Sequence, residues 1–181
     1  MKKLVAIAFL IVFGLPYASQ AQELPLDSNK KVAYTEVVPM AGMTKDKLYE
    51  RAMHAINAMY KQADKKVAVK DPVMGLVQMN CTTQVLLHDK KSNLDVQSGM
   101  IKYKFNLYFK EGKYKYEFIG FHIDMGGFPQ PMEKLLPPNK PEANIRAPER
   151  IAFLDADIKK LIKILKENMA KDGADVKGGD W

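Results

Sequence analysis

The 181-residue chain carries 28 Lys and Arg against 21 Asp and Glu, a net charge of +7, with 47% hydrophobic residues and a single cysteine. One cysteine excludes an internal disulfide, so stability has to come from packing. The mild basic excess favours solubility and weak attraction to anionic surfaces, and specifies no partner.

The chain opens Met1-Lys2-Lys3, runs apolar from Leu4 to Leu15 and reaches PYASQA before Gln22. A basic start, a short apolar stretch and small residues before a cut are the parts of a secretory signal peptide. The apolar run falls short of the roughly 20 residues that a membrane span needs. Ser19 and Ala21 suit the positions before a cleavage site, so residues 1–21 are expected to be removed after Ala21. That leaves a periplasmic or secreted protein with no transmembrane span and a net charge of +5, since Lys2 and Lys3 are lost and no acid is. What remains fits one domain with an adequate core.

The stretch KVAYTEVV (31–38) is rich in β-branched residues and predicts a strand. Thr44 then predicts a helix N-cap, and Leu48, Ala52, Ala55, Ile56 and Met59 form one apolar stripe of a helix over 45–62. A short strand is predicted at 65–71 and a longer one at 76–87, with the turn PVMG between them. In the longer strand Val77, Met79, Cys81, Thr83 and Val85 share the drier face, which makes Cys81 an inward-facing filler. HDKKSNLDVQSG (88–99) is polar and predicts a loop.

KYKFNLYFKEGKYKY (102–116) alternates lysines with aromatics about Glu111-Gly112. It predicts a hairpin whose opposed residue numbers sum to 223. Ile101, Tyr103, Phe105, Leu107 and Phe109 then share a core face with His122, Gly120, Phe118, Tyr116 and Tyr114. Lys102, Lys104, Asn106, Tyr108 and Lys110 share a wet face with Phe121, Ile119, Glu117, Lys115 and Lys113.

Residues 124–148 hold six prolines and two glycines, and predict a crossing loop with a short turn at MEKLL (132–136). A helix is predicted over 149–171, with Ile151, Leu154, Ile158, Leu161, Ile162, Leu165 and Met169 on one stripe and Gly173 as its stop. It belongs to the same domain as 22–123, and 172–181 is expected to be a flexible tail. The fold class is α+β in the order β-α-β-β-β-β-α. It is expected to be a curved antiparallel sheet with both helices on one face, a TBP-like or helix-grip-like arrangement.

LPLDSNKKVAYTEVVPMAGMTKDKLYERAMHAINAMY, followed by the strands and FKEGKYKYEFIGFHI, resembles the exported bacterial domains of unknown function with a TATA-binding-protein-like fold, the DUF4468 type. The resemblance covers residues 24–123 and, in kind, the closing helix. It implies a signal peptide, a curved sheet and two helices. It implies no activity, substrate or catalytic residue.

Local catalytic signatures are missing from the chain. The histidines at 54, 88 and 122 are dispersed, no His-x-x-x-His or Cys-x-x-Cys spacing occurs, and no phosphate-cradling glycine loop or nucleophile elbow is present. Asp155 and Asp157, placed near a helix start, suit the helix dipole. No cofactor, metal or catalytic residue is assigned. The preferred reading is a non-enzymatic interaction or ligand-binding module of the cell envelope, its surface made by Lys102, Lys104, Tyr108, Lys115 and Phe121. Its partner would be a cell-envelope protein, a glycan or an apolar small molecule. A hydrolase with a dispersed site is the alternative. It would need a cleft with carboxylates, or His88 or His122 paired with an acid. Nucleic-acid binding through the basic aromatic face comes third, because export argues against it.

Overall fold

A computed structural model describes residues 23–137 and 145–171. The leader with its cut after Ala21, part of the Pro-rich crossing, Gly173 and the tail lie outside the described residues. The elements are β1 (Ala33–Pro39), α1 (Lys45–Met59), β2 (Val67–Asp71), β3 (Leu76–Asp89), β4 (Leu94–Lys110), β5 (Lys113–Asp124), the two-residue β6 (Gln130–Pro131) and α2 (Ala147–Ala170). Two single 3-10 turns, Ala63–Lys65 and Met132–Leu135, join them. The sheet is antiparallel, in the order β1-β5-β4-β3-β2, with β6 continuing beside β5 past the end of β1. No described helix is long and apolar enough to cross a membrane.

Both helices bury their apolar stripes on one sheet face. Leu48, Ala52, Ala55 and Ile56 of α1 are buried there with Ile151, Leu154, Ile158, Leu165 and Met169 of α2. They meet Val77, Met79 and Cys81 of β3 and a run of rings from β4 and β5. Phe105 stacks on Phe118 at 4.4 Å between centroids, across the strand pair that the hairpin register sets. Such aromatic pairs add about 0.5–1.5 kcal/mol beyond their buried area. Tyr103 stacks on Phe121 at 5.4 Å, and Tyr49 of α1 meets Phe109 edge-on at 5.6 Å. Rings from a helix and two strands thus lock one face.

Polar ties hold the layers in position. The hydroxyl of Tyr34 on β1 donates to Asp155 of α2 at 2.9 Å, and Lys159 pairs with the other oxygen of Asp155 at 2.7 Å. Asp155 is buried in the third turn of α2, so it joins a helix to a strand, and the expected helix-dipole role is corrected. Glu36 accepts from Tyr116 at 2.6 Å and from Lys166 at 2.6 and 2.8 Å. The Pro-rich crossing is anchored where it is described. Met132 and Leu135 enter the core, and Glu133 accepts the Val32 amide at 2.8 Å.

The hairpin tip explains its own sequence. Glu111 accepts the first amide of α1, from Lys45, at 3.0 Å, while Thr44 accepts from Lys47 at 3.3 Å. Two otherwise unsatisfied helix donors are thereby met. Gly112, at φ +71°, accepts from Met40 at 2.7 Å and donates to Met43 at 2.9 Å. The tip is docked against the β1–α1 turn, so a carboxylate serves there better than the usual Asn.

Two expectations are corrected. The polar stretch 88–99 is mostly strand: β3 runs to Asp89, β4 starts at Leu94, and only residues 90–93 turn. This end of the pair is exposed on both faces at residues 94–97, so no apolar alternation marks it. The second correction concerns register. Opposed numbers sum to 223 from Lys110–Lys113 to Lys104–Ile119, and then a bulge raises the sum to 224 at Lys102–His122. Gly120 sits in the bulge at φ +67°, a conformation that glycine takes without strain. The extra residue turns Phe121 into the core and His122 out to solvent.

Candidate functional site

The helices leave the second face of the sheet uncovered, and the register sorts its side chains into rows. At the hairpin tip Pro39, Lys113 and Lys110 lie side by side. The next row is Val37, Lys115, Tyr108, Leu76 and Asp71. After it come Thr35, Glu117, Asn106, Gln78 and Val69, and then Ala33, Ile119, Lys104 and Asn80. Lys102 follows, between Thr82 and His122.

The centre of this face is an ordered polar network. Glu117 accepts from the Tyr108 hydroxyl at 3.1 Å and from the Asn106 amide at 3.4 Å, and pairs with the Lys115 ammonium. Lys115 also lies 5.7 Å from the centre of the Tyr108 ring, a cation–π distance. Burial pushes the Glu117 carboxyl up, but hydrogen bonds from Lys115, Asn106 and Tyr108 outweigh it and leave it below the usual range. Burial, and then the Glu117 charge, push the Tyr108 hydroxyl up. Asn106 is only 4% exposed although its face is uncovered, because longer neighbours flank it on every side. Its carbonyl oxygen accepts nothing among the described residues.

Toward the tip the face sinks into an open depression of about 490 Å³, bordered by Val37, Tyr108, Lys110, Lys113, Lys115 and Glu117, with Tyr114 also reaching its lining. Three ammonium groups face one carboxylate there.

Of the five residues predicted for the surface, four stand on this face. Lys102 and Lys104 are exposed, and Tyr108 and Lys115 are half-buried. Only Tyr108 and Lys115 belong to the depression. Phe121 does not belong to the surface: it is 1% exposed, packed between Tyr103 and Tyr34 in the core. Lys110, Lys113, Glu117 and Asn106 were legible as members of the wet face from the hairpin register, and nothing singled them out. Val37 needed the pairing of β1 with β5, which local sequence does not encode.

Elsewhere, chemistry-bearing groups are used structurally. Burial pushes the Cys81 thiol up to about 11, which keeps it unreactive. The Tyr60 and Tyr103 hydroxyls lie 3.4 Å apart nearby. Burial also raises the Asp157 carboxyl, against a hydrogen bond from Thr83 and the charge of Lys160. His88 does meet an acid, Asp95, at 3.3 Å, and both are exposed at the far end of the β3–β4 pair. His122, expected on the core side, is exposed, with its Nδ1 3.0 Å from the Gly120 carbonyl oxygen. No group of three or more His, Cys, Asp and Glu that could hold a metal ion occurs among the described residues.

Residues 34–124, half of the chain, match the family described as "Domain of unknown function (DUF4468) with TBP-like fold". The chain belongs to this DUF4468 family. A crystal structure of a DUF4468 family protein from Bacteroides ovatus is similar at a TM-score of 0.64 and 12% identity, over 85% of this chain and 93% of that one. A TBP-like protein from Parabacteroides distasonis is similar at 0.58 and 15% identity, over 78% and 96% of the two chains. At such identities the likeness concerns the fold: a curved antiparallel sheet with two helices. No curated protein matches the chain significantly. For a DUF4468 domain, therefore, function has to be argued from the site itself.

Proposed function

We propose that this DUF4468 domain is an exported, non-enzymatic binding module of the cell envelope, and that its partner docks on the uncovered sheet face around Tyr108. One observation carries the reading. Two helices and most of the buried rings of β4 and β5 occupy one side of the sheet, while the other side keeps an ordered Tyr108–Glu117–Asn106–Lys115 network beside a hollow. A merely solvated face needs neither. Export rests on the basic, apolar and small-residue pattern of residues 1–21.

Nucleic-acid stacking is the weaker reading. Sequence-tolerant recognition of single strands uses several exposed rings. Of the aromatic residues on β4 and β5, only Tyr108 faces outward, and Tyr103, Phe105, Phe109, Tyr114, Tyr116, Phe118 and Phe121 are buried.

The test compares what co-purifies with the mature chain when either face is altered. Lys104→Glu with Tyr108→Ala changes the open face, and Lys160→Glu with Lys163→Glu changes the exposed side of α2. Mass spectrometry of the bound material should show a specific species lost only with the first pair. Equal loss with the second pair, or an uncut chain recovered from the cytosol, would refute the proposal.

A further inference from the structure

The hollow at the hairpin tip carries an inference about ligand class that rests on the open-face reading. Lys110 and Lys113 are direct cross-strand neighbours on that face. Like charges so placed repel and destabilise a strand pair. A hairpin tip ordinarily relieves this with a nearby acid, and Glu111 lies between them in sequence. Glu111, however, is turned away and held on the first amide of α1 at 3.0 Å. The other nearby acid, Glu117, is committed to Lys115, Tyr108 and Asn106. Among the described residues neither the Lys110 nor the Lys113 ammonium has a hydrogen bond or an ion pair. Two uncompensated ammonium groups thus stand together at the mouth of a concave site.

The remaining lining pairs the Lys115–Glu117 ion pair with an apolar part made by Val37 and the rings of Tyr108 and Tyr114. Val37 is 54% exposed on the edge strand, and the Tyr108 ring lies in the same row. The same end of the sheet holds the β2–β3 turn, tied to β4 by the Phe109 amide on the Gly75 carbonyl at 2.8 Å. That turn presents Val73 and Met74, 82% and 74% exposed. The hollow, about 490 Å³, falls in the range of about 300–1,000 Å³ usual for small-molecule sites.

We propose that the hollow binds a small amphiphilic anion, with a carboxylate or phosphate head between Lys110 and Lys113 and an apolar body laid over Tyr108 and Val37. Charge complementarity fixes the head, since a neutral polar group would leave both ammonium groups repelling. Val37 stands exposed on the edge strand, so a body longer than the hollow can run out over β1. The occupant is a monomeric molecule, because the site is concave and a flat bilayer would reach only its rim.

Backbone amide shifts of residues 22–181 would be followed by NMR as decanoate, decyl phosphate, decanol and inorganic phosphate are added, each amphiphile below its micelle concentration. Decanoate or decyl phosphate should give saturable shifts centred on Val37, Tyr108, Lys110 and Lys113. Decanol and inorganic phosphate should bind at least tenfold more weakly. Lys110→Gln with Lys113→Gln should weaken the anionic probe at least tenfold, and Lys160→Gln with Lys163→Gln should change nothing. Both lysines of the first pair are exposed, and a circular dichroism spectrum checks that their replacement leaves the fold intact. Decanol binding as well as decanoate, on the same residues, would overturn the anion class and leave the open-face reading standing. Shifts confined to the helix side would overturn both. Response to none of the four probes, with shifts only when vesicles of anionic phospholipid are added in a fifth titration or with none at all, would overturn the proposal of a monomeric ligand, and the co-purification result would still decide the open-face reading.

Discussion

Replacement of Phe121 by alanine sets two readings of one strand against each other. Strict alternation from the hairpin tip places Phe121 beside Lys102 on the wet face, where truncation changes stability by no more than about 0.5 kcal/mol. The bulge at Gly120 places it in the core, 1% exposed, with its ring stacked 5.4 Å from Tyr103 and edge-on to Tyr34 at 6.0 Å. Truncation there removes the transfer free energy of the ring and leaves a cavity between two fixed aromatics, a loss of about 3–5 kcal/mol. At about 2–4 °C per kcal/mol for a domain of this size, Tm should fall by roughly 6–20 °C. His122→Ala provides the opposite half of the test. Alternation buries His122 against Ile101, whereas the bulge exposes it, so the loss should stay within about 0.5 kcal/mol. Gly120→Ala keeps the bulge but forces φ +67° on a residue with a Cβ, at a cost of about 1–2 kcal/mol. Urea unfolding followed by circular dichroism measures all three, with an unchanged slope as the sign that only stability has moved. A Phe121→Ala loss below about 0.5 kcal/mol together with a His122→Ala loss of several would refute the bulge.

Four further outcomes follow from the structure. Tyr34→Phe removes the hydroxyl that donates to buried Asp155 and should cost about 1.5–3 kcal/mol in the same urea titration, since that hydrogen bond goes to a charged group. Glu36 is held below the usual carboxylate range by hydrogen bonds from Lys166 and then Tyr116. Its contribution is therefore complete above the unfolded-state value of about 4.3 and is lost as pH falls through its lower folded value, so Glu36→Gln should flatten the acid limb of a stability–pH curve. Cys81, with its thiol pushed up to about 11 by burial, should resist a thiol reagent at pH 8 in the folded protein and react fully in denaturant; rapid native labelling would contradict its packing. Lys113→Gln should raise the stability of the ligand-free protein by a few tenths of a kcal/mol through relief of the Lys110 repulsion, and a decrease would mean that the two charges are already compensated.

Element order and the dry face of the sheet were readable because each rests on short-range spacing. The stripe from Leu48 to Met59 and the one from Ile151 to Met169 declare two helices with one apolar side each. Phe105 and Phe118 declare a cross-strand pair through the distance of each from Gly112. The β4 start at Leu94 was hidden because that part of the strand has water on both sides, and polar residues there are consistent with strand and loop alike. The Gly120 bulge was hidden because a single Gly in a strand signals a kink only weakly, and nothing local says which neighbour it will turn inward.

Local spacing, then, determined which residues form strands and helices, and that lysines and rings of the hairpin part to opposite faces, since side-chain direction follows a fixed period along each element. What lies beside what across the sheet was settled only by the assembled fold. The pairing of β1 with β5 sets Val37 next to Lys115, the docking of the tip on α1 takes Glu111 away from Lys110 and Lys113, and the bulge withdraws Phe121 from the surface. Each of these depends on contacts between residues far apart in the chain, whose free energy appears only once the core has closed around them.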